Sequence, residues 1–139
     1  MTMLKIIVPL TPPSVNHYMK HRVVKINGHE TVMTYPSKDA KDWWKSVEGA
    51  CDGRAIDADG YEIAYVVYQG SNERGDVDNY AKCILDALVR ALAIDSDHKV
   101  MAMHAYKQRD RDRPRTEIFI RAIGQLSLLE PPMPSANDW

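Results

Sequence analysis

The sequence predicts an α+β domain, a mixed β-sheet with two main helices packed on it. Three observations carry that reading. The candidate elements run strands, helix, strand, helix, strands over 139 residues, a length that suits one domain. Two stretches repeat apolar residues at i, i+3, i+4 and i+7, the stripe of a helix lying on a core. Asn27-Gly28 separates two β-branched runs, the strongest short signal for a hairpin.

Leu4–Pro9 reads as the first strand, stopped by Thr11-Pro12-Pro13. Arg22–Ile26 and Glu30–Tyr35 form the hairpin around Asn27-Gly28. Ser37 suits the N-cap of a helix through about Ala50, with Ala40, Trp43, Trp44 and Val47 as its stripe. Cys51–Gly60 is loop, and Tyr61–Gln69 is a strand apolar enough to be central. After the turn-rich Ser71–Gly75, Asp78 caps a second helix, Asn79 to about Leu92, whose stripe is Ala81, Ile84, Leu85, Leu88 and Leu92. Val100–Lys107 and Thr116–Ala122 read as an antiparallel pair joined by the charged loop Gln108–Arg115. The domain is expected to span residues 1–124, with 125–139, which holds three prolines, as an extended or mobile appendage.

Composition excludes several classes. The chain is 45% hydrophobic and 27% charged, ordinary for a globular protein and unlike collagen, coiled coil or a disordered chain. No apolar run approaches the roughly 20 residues of a membrane span, and the N-terminal apolar stretch is too short for a signal peptide. A cytoplasmic protein is expected, with no membrane partner. Cys51 and Cys83 show no C-x-x-C spacing and suit free buried thiols in a reducing compartment.

The net charge of −1 conceals a pattern. Residues 1–45 carry seven Lys/Arg against three Asp/Glu, residues 46–98 four against eleven, and residues 99–125 seven against three. The near-neutral balance argues against a protein that coats nucleic acid by bulk charge alone. Gathered carboxylates need a cation, and basic flanks would draw a polyanion to it. Acids scattered over solvated faces give the same composition.

The informative segment is Gly75–Asp97, GDVDNYAKCILDALVRALAIDSD. Asp76 and Asp78 lie two apart, so in extended chain their side chains share a side; Asp95 and Asp97 repeat the spacing after the helix. The two pairs meet near one edge if the strand from 99 pairs beside Tyr61–Gln69. Asp76, Asp78 and Asp97 suit Mg²⁺, which takes one or two carboxylates and completes its shell with water and phosphate. Lys82, one turn after Asp78, would stabilise charge on an attacked phosphodiester, with Asp86 orienting it. The same residues also have structural readings: Asp78 as a cap, Lys82–Asp86 as a surface pair, Asp95 and Asp97 as turn residues. The five histidines lack metal spacing, although His98 adjoins Asp97. Trp43 and Trp44 suit either base stacking or one core and one half-exposed position. No P-loop, G-x-G-x-x-G or G-x-S-x-G pattern is present.

Three blocks make the sequence similar to the RusA-type Holliday junction resolvases, small endonucleases of bacteria, prophages and phages. Pro12-Pro13-Ser14-Val15-Asn16-His17-Tyr18 resembles the family's P-P-S-x-N-x-x-Y. Asp76-Val77-Asp78-Asn79-Tyr80-Ala81-Lys82 resembles D-x-D-N-x-x-K, continued by Asp86-Ala87-Leu88, with Asn16, Asn79 and Asp86 in supporting positions. Asp97 and Lys107 follow at the family spacing. The resemblance implies a RusA-like fold, metal ligands Asp76, Asp78 and Asp97, a catalytic Lys82, and Mg²⁺ or Mn²⁺. It further implies a homodimer nicking a four-way junction in pairs, with roles in recombination and DNA repair. Where the family often carries several arginines before its motif, this chain has Asn72-Glu73-Arg74-Gly75. Phosphate contacts are therefore expected from Lys20, Arg22, Lys25, Arg74, Lys107, Arg109 and Arg111, with Arg113 and Arg115 in the same loop. The competing readings are a non-catalytic, structure-selective DNA-binding protein of the same fold and a metal-dependent hydrolase of small nucleotides.

Overall fold

The computed structural model describes residues 3–73 and 75–123; the expected appendage at 125–139 lies outside them. Along the chain come β1 (Met3–Val8), α1 (Val15–Tyr18), β2 (Met19–Ile26), β3 (His29–Pro36), α2 (Lys38–Cys51) and β4 (Tyr61–Gln69). A 3₁₀ turn (Val77–Tyr80) leads into α3 (Ala81–Arg90), and a second (Asp97–Lys99) into β5 (Val100–Arg109) and β6 (Arg115–Ala122). The mixed sheet has the order β1-β6-β4-β5, and β2-β3 forms a separate two-stranded ribbon. The α+β expectation holds.

Each element follows from its residues. β1 alternates exposed and buried, sending Leu4, Ile6 and Val8 into the core. β4 is buried over nearly its whole length. Ser37 Oγ accepts from the Ala40 amide at 3.0 Å, which caps α2. Asp52 ends that helix in the left-handed region at φ 50°. Trp43 is buried and its indole donates to the Cys83 carbonyl at 2.9 Å, tying α2 to α3. At the ribbon's tip Asn27 and Gly28 both have positive φ, 51° and 81°, the hallmark of the type I′ turn. Cys51 and Cys83 are free and buried.

Two expectations are corrected. β5 and β6 are not a hairpin, because β4 lies between them, parallel to β5 and antiparallel to β6. The loop after β5 passes over the end of β4, where the Asp110 amide donates to the Gln69 carbonyl at 2.9 Å. The long-range demand for a partner on each side of β4 overrides the local preference for a hairpin. Asp78 is no N-cap either. It lies inside the 3₁₀ turn, α3 begins at Ala81, and no side chain caps it. The helix also stops at Arg90, with Leu92 left-handed at φ 59° beyond it.

Candidate functional site

The chain leaves the sheet at Gln69, and this buried residue organises the loop and turn beyond it. Its amide nitrogen donates to the Gly75 carbonyl and to the Tyr80 hydroxyl, both at 2.8 Å. Tyr65 Oη donates to the Val77 carbonyl at 2.5 Å. Gly75 has no room for a side chain, since a Cβ there would overlap the Tyr80 ring and hydroxyl. Burial pushes the Tyr65 phenol up to about 12, and the nearby Asp78 carboxylate adds to the shift. Burial likewise raises Tyr80. Both phenols therefore stay neutral, Tyr65 donating to Val77 and Tyr80 accepting from Gln69.

This clamp displays Asp76 and Asp78. Asp76 is extended and its carbonyl accepts from the Asn79 amide at 3.0 Å, opening the 3₁₀ turn that contains Asp78. The turn corrects the expectation of an extended pair with side chains on one side. Asp76 lines a cavity of about 680 Å³ together with Pro12, Pro13, Asn16, Asn79 and Tyr80. The P-P-S-x-N and D-x-D-N blocks thus meet at one cleft. Asp39, Asp42 and Glu73 line it too. Sequence reasoning missed them. Asp39 and Asp42 share a helix face at i, i+3, but that spacing equally marks a solvated face.

Lys82 and Asp86 form the expected i, i+4 pair, Nζ to Oδ2 at 3.4 Å. Asp86 also accepts from Tyr18 Oη at 3.0 Å, and Trp44 donates to that hydroxyl at 2.8 Å. Burial, before any charge effect, raises the Tyr18 phenol. Trp44 is half-buried, with the Arg90 guanidinium 3.8 Å above its ring.

Asp97 sits elsewhere. β5 pairs beside β4, as required, but in parallel. Val100 therefore faces Tyr61 at the start of β4, while Asp76 follows the far end, where Gln69 faces Arg109. Asp97 lines a second cavity, of about 340 Å³, with Tyr18, Trp44, Asp86, Arg90 and Asp95. Asp95 is bound by Lys99 at 2.6 Å and by Tyr61 Oη at 3.0 Å. Among the described residues of one chain, no three acidic, histidine or cysteine side chains gather where they could hold a metal. Asp76 and Asp78 alone still offer the one or two carboxylates that Mg²⁺ takes.

The cationic candidates divide. Lys20, Arg22 and Lys25 are exposed on β2, and Arg111 is exposed in the β5–β6 loop. Lys107 Nζ reaches the Gly75 carbonyl at 3.3 Å, and Arg109 the Gly70 carbonyl at 2.5 Å, so both brace the loop before Asp76. Arg115 stacks on Tyr68 at 3.7 Å and pairs with Asp110 and Glu117, which fixes it to the sheet. Arg74 lies outside the described residues.

Among the described residues no helix is long and apolar enough to cross a membrane. Residues 9–121 match the family model described as Endodeoxyribonuclease RusA, a span that includes both blocks at the cleft. No curated protein matches the chain.

Proposed function

This chain belongs to the RusA endodeoxyribonuclease family, and we propose that it is a metal-dependent resolvase that cuts four-way DNA junctions by paired nicks in recombination and repair. The observation that carries the reading is the clamped turn that sets Asp76 at a cleft shared with Asn16 and Asn79, with Asp78 exposed two residues on.

Asp76 and Asp78 would hold Mg²⁺ or Mn²⁺, and Asp97 of a second copy would complete the site. The split of the three aspartates within one chain supports that arrangement. A bound divalent cation supplies polarisation of the scissile phosphate and a more acidic attacking water. The chain's own groups do the rest. Gln69 and Tyr65 fix the turn as neutral donors, and the neutral Tyr80 hydroxyl accepts from Gln69, so none competes for charge. Lys82, exposed and steadied by Asp86, neutralises a phosphate oxygen. Lys107 and Arg109 keep the preceding loop against β5, and Lys20, Arg22, Lys25, Arg74 and Arg111 contact phosphates. A two-fold homodimer puts one site on each of two symmetric strands.

The test is nicking of a synthetic four-way junction in Mg²⁺. Asp78→Asn is expected to bind the junction and to cut on the order of 10²–10³-fold more slowly, the usual cost of losing one electrostatic group at a reacting centre. Mixing Asp78→Asn chains with Asp97→Asn chains should restore nicking, because mixed dimers regain one composite site. Undiminished cutting by Asp78→Asn removes the mechanism, and a mixture without recovery removes the shared site. The dispersal of carboxylates within one chain also favours a second reading, a structure-selective DNA-binding protein without hydrolysis. A gel shift by wild-type protein without nicking in Mg²⁺ would establish it.

A further inference from the structure

The β2-β3 ribbon stands apart from the sheet and is rooted through α1 and the bond from the Ser37 amide to the Tyr18 carbonyl. A lone two-stranded hairpin is marginal in water. This one nevertheless exposes Val23 at 64%, Val32 at 63% and Ile26 at 52%. Its register sorts the side chains. Lys20/Tyr35, Arg22/Met33, Val24/Thr31 and Ile26/His29 share one face, and His21/Thr34, Val23/Val32 and Lys25/Glu30 share the other. The first face has two cations and no acid, whereas the second sets Lys25 opposite Glu30.

We propose that the ribbon is a duplex-gripping arm that lays its Lys20–Arg22 face in the major groove of one arm of the junction. The inference rests on the proposed DNA substrate and adds how that DNA is held. Three features argue for duplex DNA as the occupant. The face is cationic, complementary to phosphate. A two-stranded ribbon fits the roughly 12 Å major groove and not the roughly 6 Å minor groove, and Val24, Thr31 and Ile26 give it apolar contacts for thymine methyls. The root of the ribbon also borders the cleft. Asn16, His17 and Asp39 line both the Asp76 cavity and the smaller one beside Lys20. A duplex held by the ribbon is thereby led towards Asp76.

The experiment measures binding of the full chain to a synthetic four-way junction across a salt series, for wild type and for Lys20→Gln/Arg22→Gln, with sedimentation of both. Loss of two phosphate contacts should flatten the plot of log Kd against log salt by about 2 and weaken binding about ten-fold or more. That result, with sedimentation unchanged, supports the arm. If wild type binds and cuts but the variant keeps its affinity and slope, the arm is overturned and the resolvase reading stands. If weakened binding comes with a shift to a smaller species, the ribbon serves a second copy and the arm is overturned. If wild type fails to bind the junction, the proposed substrate falls and takes the arm with it.

Discussion

At the leading end of α3, the turn of Asp76 and Asp78 is held from beneath by Gln69, Tyr65 and Tyr80. At the trailing end, the turn of Asp95 and Asp97 is held by the partly exposed Lys99 and by one buried donor, the Tyr61 hydroxyl, both on Asp95. Both carry the same Asp-x-Asp spacing. The leading turn uses buried neutral donors that keep their geometry at any moderate pH. The trailing turn has one such donor, Tyr61, and otherwise an ion pair whose partners are 37% and 52% exposed, the kind that contributes little. One set of carboxylates is preorganised and the other is adjustable. In the proposed shared site, the fixed half would lie in one chain and the third carboxylate would come from another.

Gly75→Ala should strike the fixed half hardest. The added methyl collides with Tyr80, which is 3% exposed and has nowhere to go, and the Gln69 bonds part. A loss of about 1–3 kcal/mol is expected, typical of overpacking in a full core. Urea unfolding measures it, and junction nicking should fall with it. A variant that keeps the wild-type midpoint and cutting would show that the turn is not clamped.

Cys83 offers a gentler probe of the same half. It sits on α3 with its thiol donating to the Pro13 carbonyl at 3.0 Å. Burial pushes that thiol up to about 12; the Asp86 carboxylate adds to this and Lys82 opposes it. The folded pKa lies above the unfolded value of 9.0, so the folded state keeps its proton longer. The stability this contributes is complete below pH 9.0 and is lost as pH rises from there towards about 12. At pH 8, iodoacetamide should leave Cys83 unmodified in the native protein and label it on unfolding, as peptide mass spectrometry can read. Gly75→Ala should speed the labelling. Rapid alkylation of native wild type would contradict the buried geometry.

How much of this was legible in the sequence depends on range. Asn27-Gly28 announced the ribbon and Ser37 announced α2, because turn and cap chemistry act over a few residues. Lys82 and Asp86 were readable as a pair for the same reason. The insertion of β4 between β5 and β6 was not, because it is decided by what covers a strand more than thirty residues earlier. Asp78 looked like a cap because its type and place suited one. The 3₁₀ turn is drawn tight instead by Tyr65, twelve residues upstream. Gln69 left no signal, since a single glutamine at a strand end has no periodicity. Arg115 resembled the other loop arginines, and only the fold shows it stacked on Tyr68. The parallel register that carries Asp97 away from Asp76 was equally hidden, because spacing does not fix strand direction.

Lys99→Gln should have the smallest effect, on the adjustable half. It removes the Asp95 ion pair and leaves the Tyr61 bond and the Ser96 side chain, which accepts from the His98 amide at 3.1 Å. Exposed charges in water lose little when parted, so the urea midpoint should stay within error of wild type. A fall as large as that of Gly75→Ala would mean that the trailing turn is built as firmly as the leading one. Asp97 would then be locked in the cavity it lines with Asp86, which counts against the proposed shared site. An unchanged midpoint instead leaves Asp97, whose side chain is 51% exposed, on a turn that can shift at little cost, as the proposed shared site requires.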